Sequence, residues 1–515
     1  MKGFTFCTAT ATIHEVQHIT AEYGPMLSLA LKRGIAILAL PAMLAACSTS
    51  PATGRSQFTG LLPAEQEAAL GAQEHEKILA EFGGELANRQ LVSAVSAVGE
   101  RLVPHTERSD VDYTFTTLDS PVVNAFALPG GYVYITRGLL ALTNSEAEVA
   151  AVLGHEIGHI TDRHTAERVS QGALAGLLAA GLAVATGYEE VGLIGAAGAG
   201  LYLASYSRDQ ERSADQLGMR YMTKAGYDPE HMAGLLDGLW RQQELASALE
   251  GEDASEQSSL FHTHPLTSER VATAKERAPR YAGRYGEGEL KQARERWLST
   301  LEGMIYGDSP AQGFVRDNRF IHPELGFAYE VPNDFKLQNG SSAVTAINAR
   351  KQVILFDMDS KAGRKSVRDY LASDWGKGEL GRLRSFNSNG YNAAWADTNG
   401  NVQGEQYRVR LVALRSGETG PVWRFTLAVP VKDRNALSGL MSAPRSFDRI
   451  SGSEASKYKP HRIALVRAGR RDTEKTLSRR MPFGDKSVLY FRALNATEAD
   501  ADLVQGRLYK IIVEE

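Results

Sequence analysis

Apolar positions recur along this chain with two different periods, and the changes of period mark its elements. From Glu65 to Phe82, and again from about Ala87 to Val103, they return every three or four residues, the spacing that lines one face of a helix. Val111 to Leu118 and Tyr132 to Thr136 alternate residue by residue, as a half-buried strand does. The second of these follows the turn Pro129-Gly130-Gly131 and reads as an edge strand. An extended polypeptide can add to such an edge through main-chain hydrogen bonds, which makes Tyr132, Val133, Tyr134 and Ile135 candidate substrate contacts. Helical spacing resumes from Glu148 to Arg168, where Ser145 and Glu148 have the capping-box spacing, and from Tyr206 to Lys224. Asp228 caps a further helix begun by Pro229, Thr267 caps another, and helices continue to about Leu301.

Between the two central helices, Gly172 to Ala204 is rich in Ala, Gly and Leu and is broken by Glu189 and Glu190. It admits three readings: two membrane spans, a helical pair packed on the domain, or a surface that dips into a bilayer. Each half is shorter than the roughly 20 residues a span needs, which favours packed helices, with membrane contact next. Ser309 to Gly313 has linker composition. Beyond it, Gly326 to Val331, Gln352 to Met358, Tyr407 to Leu414 and Val422 to Val429 have strand character, and Ser366 to Asp374 helix character; the isolated His322 is expected to be structural. No tandem helical repeat follows Leu301.

The chemistry is concentrated in His155-Glu156-Ile157-Gly158-His159. On a helix, positions i and i+4 share a face, so the two imidazoles can grip one metal ion while Glu156 projects beside them. Glu211 and Asp215 are i and i+4 partners on the next helix, so the two helices could converge on one ion with a His, His, Glu set and an open fourth position. An extended HExxHxxGxxH motif would need Gly and His where this chain has Asp162 and Thr165, and His164 reads as an ordinary polar helix residue. Asp215, one turn after Glu211, is placed to hold the far nitrogen of a ligand imidazole.

Four runs, NAFALPGGYVYITRGLL from Asn124, HEIGHITDRH from His155, SRDQERSAD from Ser207 and HPLTSER from His264, resemble the BepA/Oma/HtpX type of zinc metallopeptidase, peptidase family M48, over Leu61 to about Ala278. The resemblance implies a gluzincin-type fold with one zinc ion per chain, held by His155, His159 and Glu211, and Glu156 as catalytic base. It supports Asp215 as the partner of a ligand imidazole. It also implies that His264 can fill the open zinc position as a plug, the alternative being a solvated helix-entry turn with His262. Arg270 is a candidate for steadying the substrate carbonyl or the loop.

Lys32 and Arg33, the apolar stretch Gly34 to Met43, and Leu44-Ala45-Ala46-Cys47 resemble a bacterial lipoprotein signal peptide, with lipidation at Cys47. Ser48 after the cysteine favours the outer membrane, facing the periplasm. Residues 1–25 lack signal character and read as a doubtful extension ahead of Met26. The only cysteines are Cys7 and Cys47, so no disulfide is expected in the mature domains. A length of 515 residues, 43% hydrophobic content and a formal charge of -4 suit two or three globular domains, and nothing points to a nucleic-acid partner.

The expected architecture is α+β: a signal peptide at 26–46, a tether at 47–60, a mainly helical gluzincin-type protease domain with a small sheet at 61–305, an α+β accessory domain at 314–452, and a small C-terminal unit at 458–515. That last unit weakly resembles a LysM-type module, implying peptidoglycan as a partner, although its turn at Gly469 to Thr473 departs from that pattern. Its arginines, Arg467, Arg470, Arg471, Arg479 and Arg480, suit an anionic wall or simply a solvated basic face. The expected function is zinc-dependent hydrolysis of misfolded or misassembled envelope proteins. The alternative is an envelope chaperone or assembly factor with a latent, His264-plugged zinc site.

Overall fold

The computed structural model describes residues 47–109, 111–172, 205–250, 260, 263–285, 294–340, 342–376, 380–402 and 405–515. The expected signal peptide, the extension before it, His262 and the Ala/Gly/Leu-rich stretch after Gly172 lie outside the described residues. The chain divides into two compact units, one of residues 1–63 and 166–197, the other of residues 64–165 and 198–515.

In the first unit, β1 (Cys47–Thr49) pairs antiparallel with β2 (Ser56–Phe58), so the stretch expected as an open tether holds a hairpin. Its Ser, Thr and Gly residues serve the turn: the Ser50 hydroxyl accepts from the amides of Ala52 and Thr53, and Gly54 takes φ +71°. The same composition marks linkers and turns, and the pairing tells them apart.

The second unit opens with α1 (Ala64–Glu81) and α2 (Arg89–Leu102), the latter capped by the Asn88 side chain accepting from the Leu91 amide at 3.2 Å. A three-stranded sheet follows in the order β3 (Thr114–Leu118), β5 (Tyr132–Thr136), β4 (Ala125–Leu128). This corrects the edge-strand expectation. β5 is central, parallel to β3 on one side and antiparallel to β4 on the other, and Val133, Tyr134 and Ile135 are buried, while Tyr132 packs against His75. Among the described residues the edge facing the metal cleft belongs to β4. That strand is buried at every position and so lacks the alternation that marks a half-exposed strand.

α3 (Arg137–Leu142) leads into α4 (Glu146–Thr161), the helix of the histidine pentad. Ser145 caps it through the Glu148 amide, but the Glu148 carboxylate bonds the Asn144 amide at 2.6 Å, one residue earlier than a reciprocal capping box requires. α4 ends at Thr161, short of the expected Arg168: Asp162 and Arg163 form a turn, with Arg163 at φ +47°, and helix resumes at His164. Next come α5 (Arg208–Lys224), α6 (Glu230–Glu250), α7 (Ser268–Tyr285) and α8 (Arg294–Leu301).

The accessory region is largely antiparallel sheet. Seven strands between Lys336 and Pro430 form one sheet, and four strands between Phe314 and Arg449 form another. Phe320, Phe327, Tyr329, Phe356, Phe425 and Phe447 share one core. The expected strands all occur, the intervening ones were not foreseen, and His322 is buried against Phe327 with its Nδ1 accepting from the Leu325 amide.

The last segment runs β7 (His461–Arg467), α9 (Glu474–Ser478), α10 (Ser487–Asn495) and β8 (Leu508–Glu514), the two strands pairing antiparallel. Its sheet takes a third strand, β6 (Ile305–Tyr306), from the end of the helical domain. Lys510 of β8 is fully buried, and its Nζ donates to the carbonyls of Ala141 at 2.7 Å and Thr143 at 2.8 Å, at the end of α3. These are the unsatisfied carbonyls a helix C-terminus leaves, and the amine satisfies them although burial holds its pKa well below the usual lysine value. The chain end is thus built into the turn that launches α4. Lys510→Met is expected to leave both carbonyls without partners and to lower stability by about 1–3 kcal/mol in denaturant unfolding; an unchanged midpoint would contradict this anchoring role.

Candidate metal centre

Two helices make the site because glycines let them touch. A Cβ built on Gly218 of α5 would lie 2.7 Å from the His155 amide nitrogen and 2.9 Å from the Gly154 carbonyl carbon of α4. One built on Gly158 would lie 3.1 Å from Ala214. No larger side chain fits at the Gly154–Gly218 crossing, and this approach sets Glu211 beside the two imidazoles.

His155 Nε2 lies 3.0 Å from His159 Nε2 and 3.5 Å from Glu211 Oε2, and His159 Nε2 lies 3.5 Å from Glu211 Oε1. His264, from the loop before α7, places Nδ1 2.9 Å from Glu211 Oε1 and 3.3 Å from His155 Nε2. All four residues are buried. Ligand atoms 2.0–2.1 Å from a tetrahedral zinc ion stand roughly 3.3–3.4 Å apart, so these separations match the edges of such a site.

Hydrogen bonding settles which way the imidazoles face. Asp215 Oδ1 accepts from His155 Nδ1 at 2.9 Å. Asp162 Oδ2 accepts from His164 Nε2 at 3.0 Å and from Ser213 Oγ at 2.6 Å, leaving His164 Nδ1 to accept from His159 Nδ1 at 2.8 Å. In the neutral tautomers both Nε2 lone pairs therefore point into the cluster, at a separation with no proton between them. A cation relieves that repulsion, and oriented imidazoles with one carboxylate are the donor set zinc takes.

His164 thus departs from its expectation as an ordinary polar residue: it is fully buried and orients His159. Tyr206 was also missed. Its ring stacks on His159 at 3.7 Å between centroids, and its amide donates to the Thr263 carbonyl beside His264. No spacing signal marks Tyr206, whereas His164 closes the HEIGHITDRH run.

Arg270 lines the cleft and reaches the loop of His264. Its Nε and Nη2 each bond Asp215 at 2.8 Å, Nη1 lies 2.6 Å from Glu211 Oε2, and Nη1 also donates to the Pro265 carbonyl. It braces a metal-facing carboxylate, the His155 partner and the His264 loop together. Burial disfavours the Asp215 charge, yet Arg270 and His155 outweigh it and bring its pKa down to about 2. Burial likewise opposes ionisation of Glu211, but His264 and Arg270 hold it well below the usual carboxylate range. Glu156 lacks such support, and burial pushes its pKa up despite the neighbouring His264.

Residues 90–278 match the model of peptidase family M48. This stretch is an M48 peptidase domain. Among similar proteins are the "Beta-barrel assembly-enhancing protease" of Escherichia coli, 29% identical over 36% of this chain and 39% of its own length, and that of Yersinia pestis, 28% identical over 45% and 51%. A third is the "Mitochondrial metalloendopeptidase OMA1" of Schizosaccharomyces pombe, 27% identical over 44% of this chain and 66% of its own length. The chain therefore spans less than two thirds of each of these relatives. The family and these names support a metalloendopeptidase.

The M48 domain brings His155, Glu156, His159, Glu211, Asp215, His264 and Arg270 together, but not Tyr132 to Ile135, which lie inside the sheet; Ala125 of β4 lines the cleft instead. Cys47 belongs to the other compact unit. Gly218→Ala must push α4 and α5 apart, so it is expected to cost about 1–3 kcal/mol and to weaken metal retention. Thermal unfolding with metal analysis of the purified variant checks this, and full retention of both would contradict it.

Proposed function

We propose that this protein is a zinc-dependent endopeptidase of the cell envelope, acting on misfolded or misassembled envelope proteins and tethered through a lipid on Cys47. The observation that carries the catalytic reading is the buried set of two imidazoles and one carboxylate converging with their lone pairs inward, with Glu156 beside them. The quality-control role draws on the resemblance to the beta-barrel assembly-enhancing proteases. The membrane attachment draws on the residues before Cys47.

His155, His159 and Glu211 would hold the zinc ion, which supplies Lewis acidity to the scissile carbonyl and to a water molecule. Glu156 takes a proton from that water and delivers it to the leaving amine; its burial-raised pKa favours both halves of this shuttle. Asp215 and His164 hold the imidazoles in register, and Arg270 offsets the buried carboxylates. The cleft beside Glu156 is walled by Leu139, Val152, Met232, Leu235 and Leu236, which suits an apolar side chain next to the scissile bond. Such side chains are exposed in unfolded proteins. β4 offers the edge along which an extended chain can pair.

His264 Nδ1 stands where a fourth ligand would stand, and its Nε2 is 3.6 Å from Glu156 Oε1. In this state His264 excludes substrate, so the enzyme is latent until the loop before α7 moves. The same observation favours the second reading, a chaperone with a plugged site.

The decisive test is cleavage of an unfolded model protein by the zinc-loaded protein. Glu156→Gln is expected to lower the rate by roughly 10²–10⁴-fold, and His264→Ala to raise it above the unaltered level. Zinc-loaded protein inactive in both the unaltered and His264→Ala forms would favour the chaperone reading. Cys47→Ala is expected to shift the protein from the membrane to the soluble fraction; retention on the membrane would remove the lipid anchor from the proposal.

A further inference from the structure

A cavity of about 200 Å³ lies next to the metal cleft, walled by Val123, Leu142, Leu245, Tyr306 and Tyr490, with Arg137 and Gln242 contributing its polar groups. Arg137 is only 1% exposed. Its Nε bonds Asp119 Oδ1 at 2.6 Å, and Nη1 donates to the carbonyls of Ile305 at 2.8 Å and Gly307 at 3.0 Å. Nη2 is buried with no hydrogen-bond partner among the described residues, and so is Gln242 Oε1. An unpaired buried guanidinium nitrogen is costly, and the cost is removed by an acceptor brought in by a ligand. Among the described residues no acidic side chain lines the cavity, although Asp119, bonded to Arg137 Nε, offsets part of the guanidinium charge.

The cavity and the metal cleft share their walls. Leu235, Leu236 and Leu239 of α6 line the cleft, and Gln242 and Leu245 continue the same helix into the cavity. Ala125 at the start of β4 and Leu139 of α3 line the cleft, while Val123 and Leu142 line the cavity. The two hollows therefore lie in line along β4 and α6, the metal residues beside one and Arg137 beside the other. Leu235 to Leu245 spans about 15 Å of helix, the length of roughly four or five extended residues. A chain pairing antiparallel with the edge of β4 runs with its carboxyl end toward Val123.

We propose that the Arg137 cavity is a subsite for the C-terminal carboxylate of a polypeptide, so that the enzyme captures chain ends and cuts a few residues before them. The carboxylate accepts from Arg137 Nη2, Gln242 Oε1 accepts a peptide N–H, and the last side chain packs on Tyr306 and Tyr490. This rests on the peptidase reading for the cut but not for the capture, so the two can fail separately.

Binding is therefore measured with the full chain carrying Glu156→Gln together with His264→Ala, which opens the cleft. The probes are N-terminally labelled peptides with one apolar residue followed by two to six residues, each made as the free acid and as the C-terminal amide, and read by fluorescence anisotropy. The expected result is that the acid binds roughly ten- to a hundredfold more tightly than the amide, most strongly at tails of about four residues. Arg137→Lys should abolish that preference. Val123→Trp, which narrows the cavity without touching the Arg137 bonds, should abolish it with an unchanged melting temperature. Equal binding of acid and amide would overturn the subsite, as would a preference that survives Val123→Trp. Competition by acetate as effective as that by the peptide acid would reduce it to a simple anion site and overturn the capture of chain ends. Acid preference without cleavage by the protein carrying only His264→Ala would leave the subsite standing and count against the peptidase reading alone.

Discussion

The site depends on how closely two helices can approach. Gly154 and Gly218 remove the side chains that would hold α4 and α5 apart, and the resulting contact sets a carboxylate from one helix between two imidazoles from the other. Taking Glu211, Asp215 and Glu156 out of water carries a penalty that only opposite charge and directed hydrogen bonds can offset. Arg270 supplies one positive charge to Glu211 and Asp215, and a divalent cation among the inward lone pairs would balance the rest. The spacing of the helices, the guanidinium brace and the metal-binding geometry are thus parts of one electrostatic arrangement.

The supports of that arrangement come from distant parts of the chain. Lys510, five residues before the end, closes the carbonyls after α3 and so steadies the turn that starts the pentad helix. Trp297 Nε1 bonds Thr143 Oγ1 in the same turn at 2.9 Å. β6 leaves the helical domain and becomes a strand of the C-terminal sheet. A unit that resembles a separate binding module by element order is, in space, a buttress of the peptidase domain. The accessory sheets, by contrast, are held by an aromatic core of their own.

The loop carrying His264 is bonded to several neighbours: Tyr206 binds the Thr263 carbonyl, Arg270 binds the Pro265 carbonyl, and His264 itself bonds Glu211. Under the proposed function, opening the site would mean releasing these contacts together, so latency would belong to a small network and not to one side chain.

Local pattern alone was enough to place the helices of the pentad and of Glu211, to align His155 with His159 and Glu211 with Asp215, and to put His264 and Arg270 in the next loop and helix, because each depends on spacing within a few residues. Four of the eleven described strands of the accessory sheets were legible for the same reason. Tertiary structure decided what depends on neighbours distant in sequence. β5 became central because β4, buried on both faces, carries no alternation to announce it. Arg270 faces the carboxylates because Asp215 lies beside it in space, 55 residues away in the chain. His164 turned inward because α4 breaks at Arg163, and the C-terminal unit joined the peptidase domain because the carbonyls after α3 needed a buried donor. Periodicity records which face of an element is buried, and only the fold determines what it is buried against.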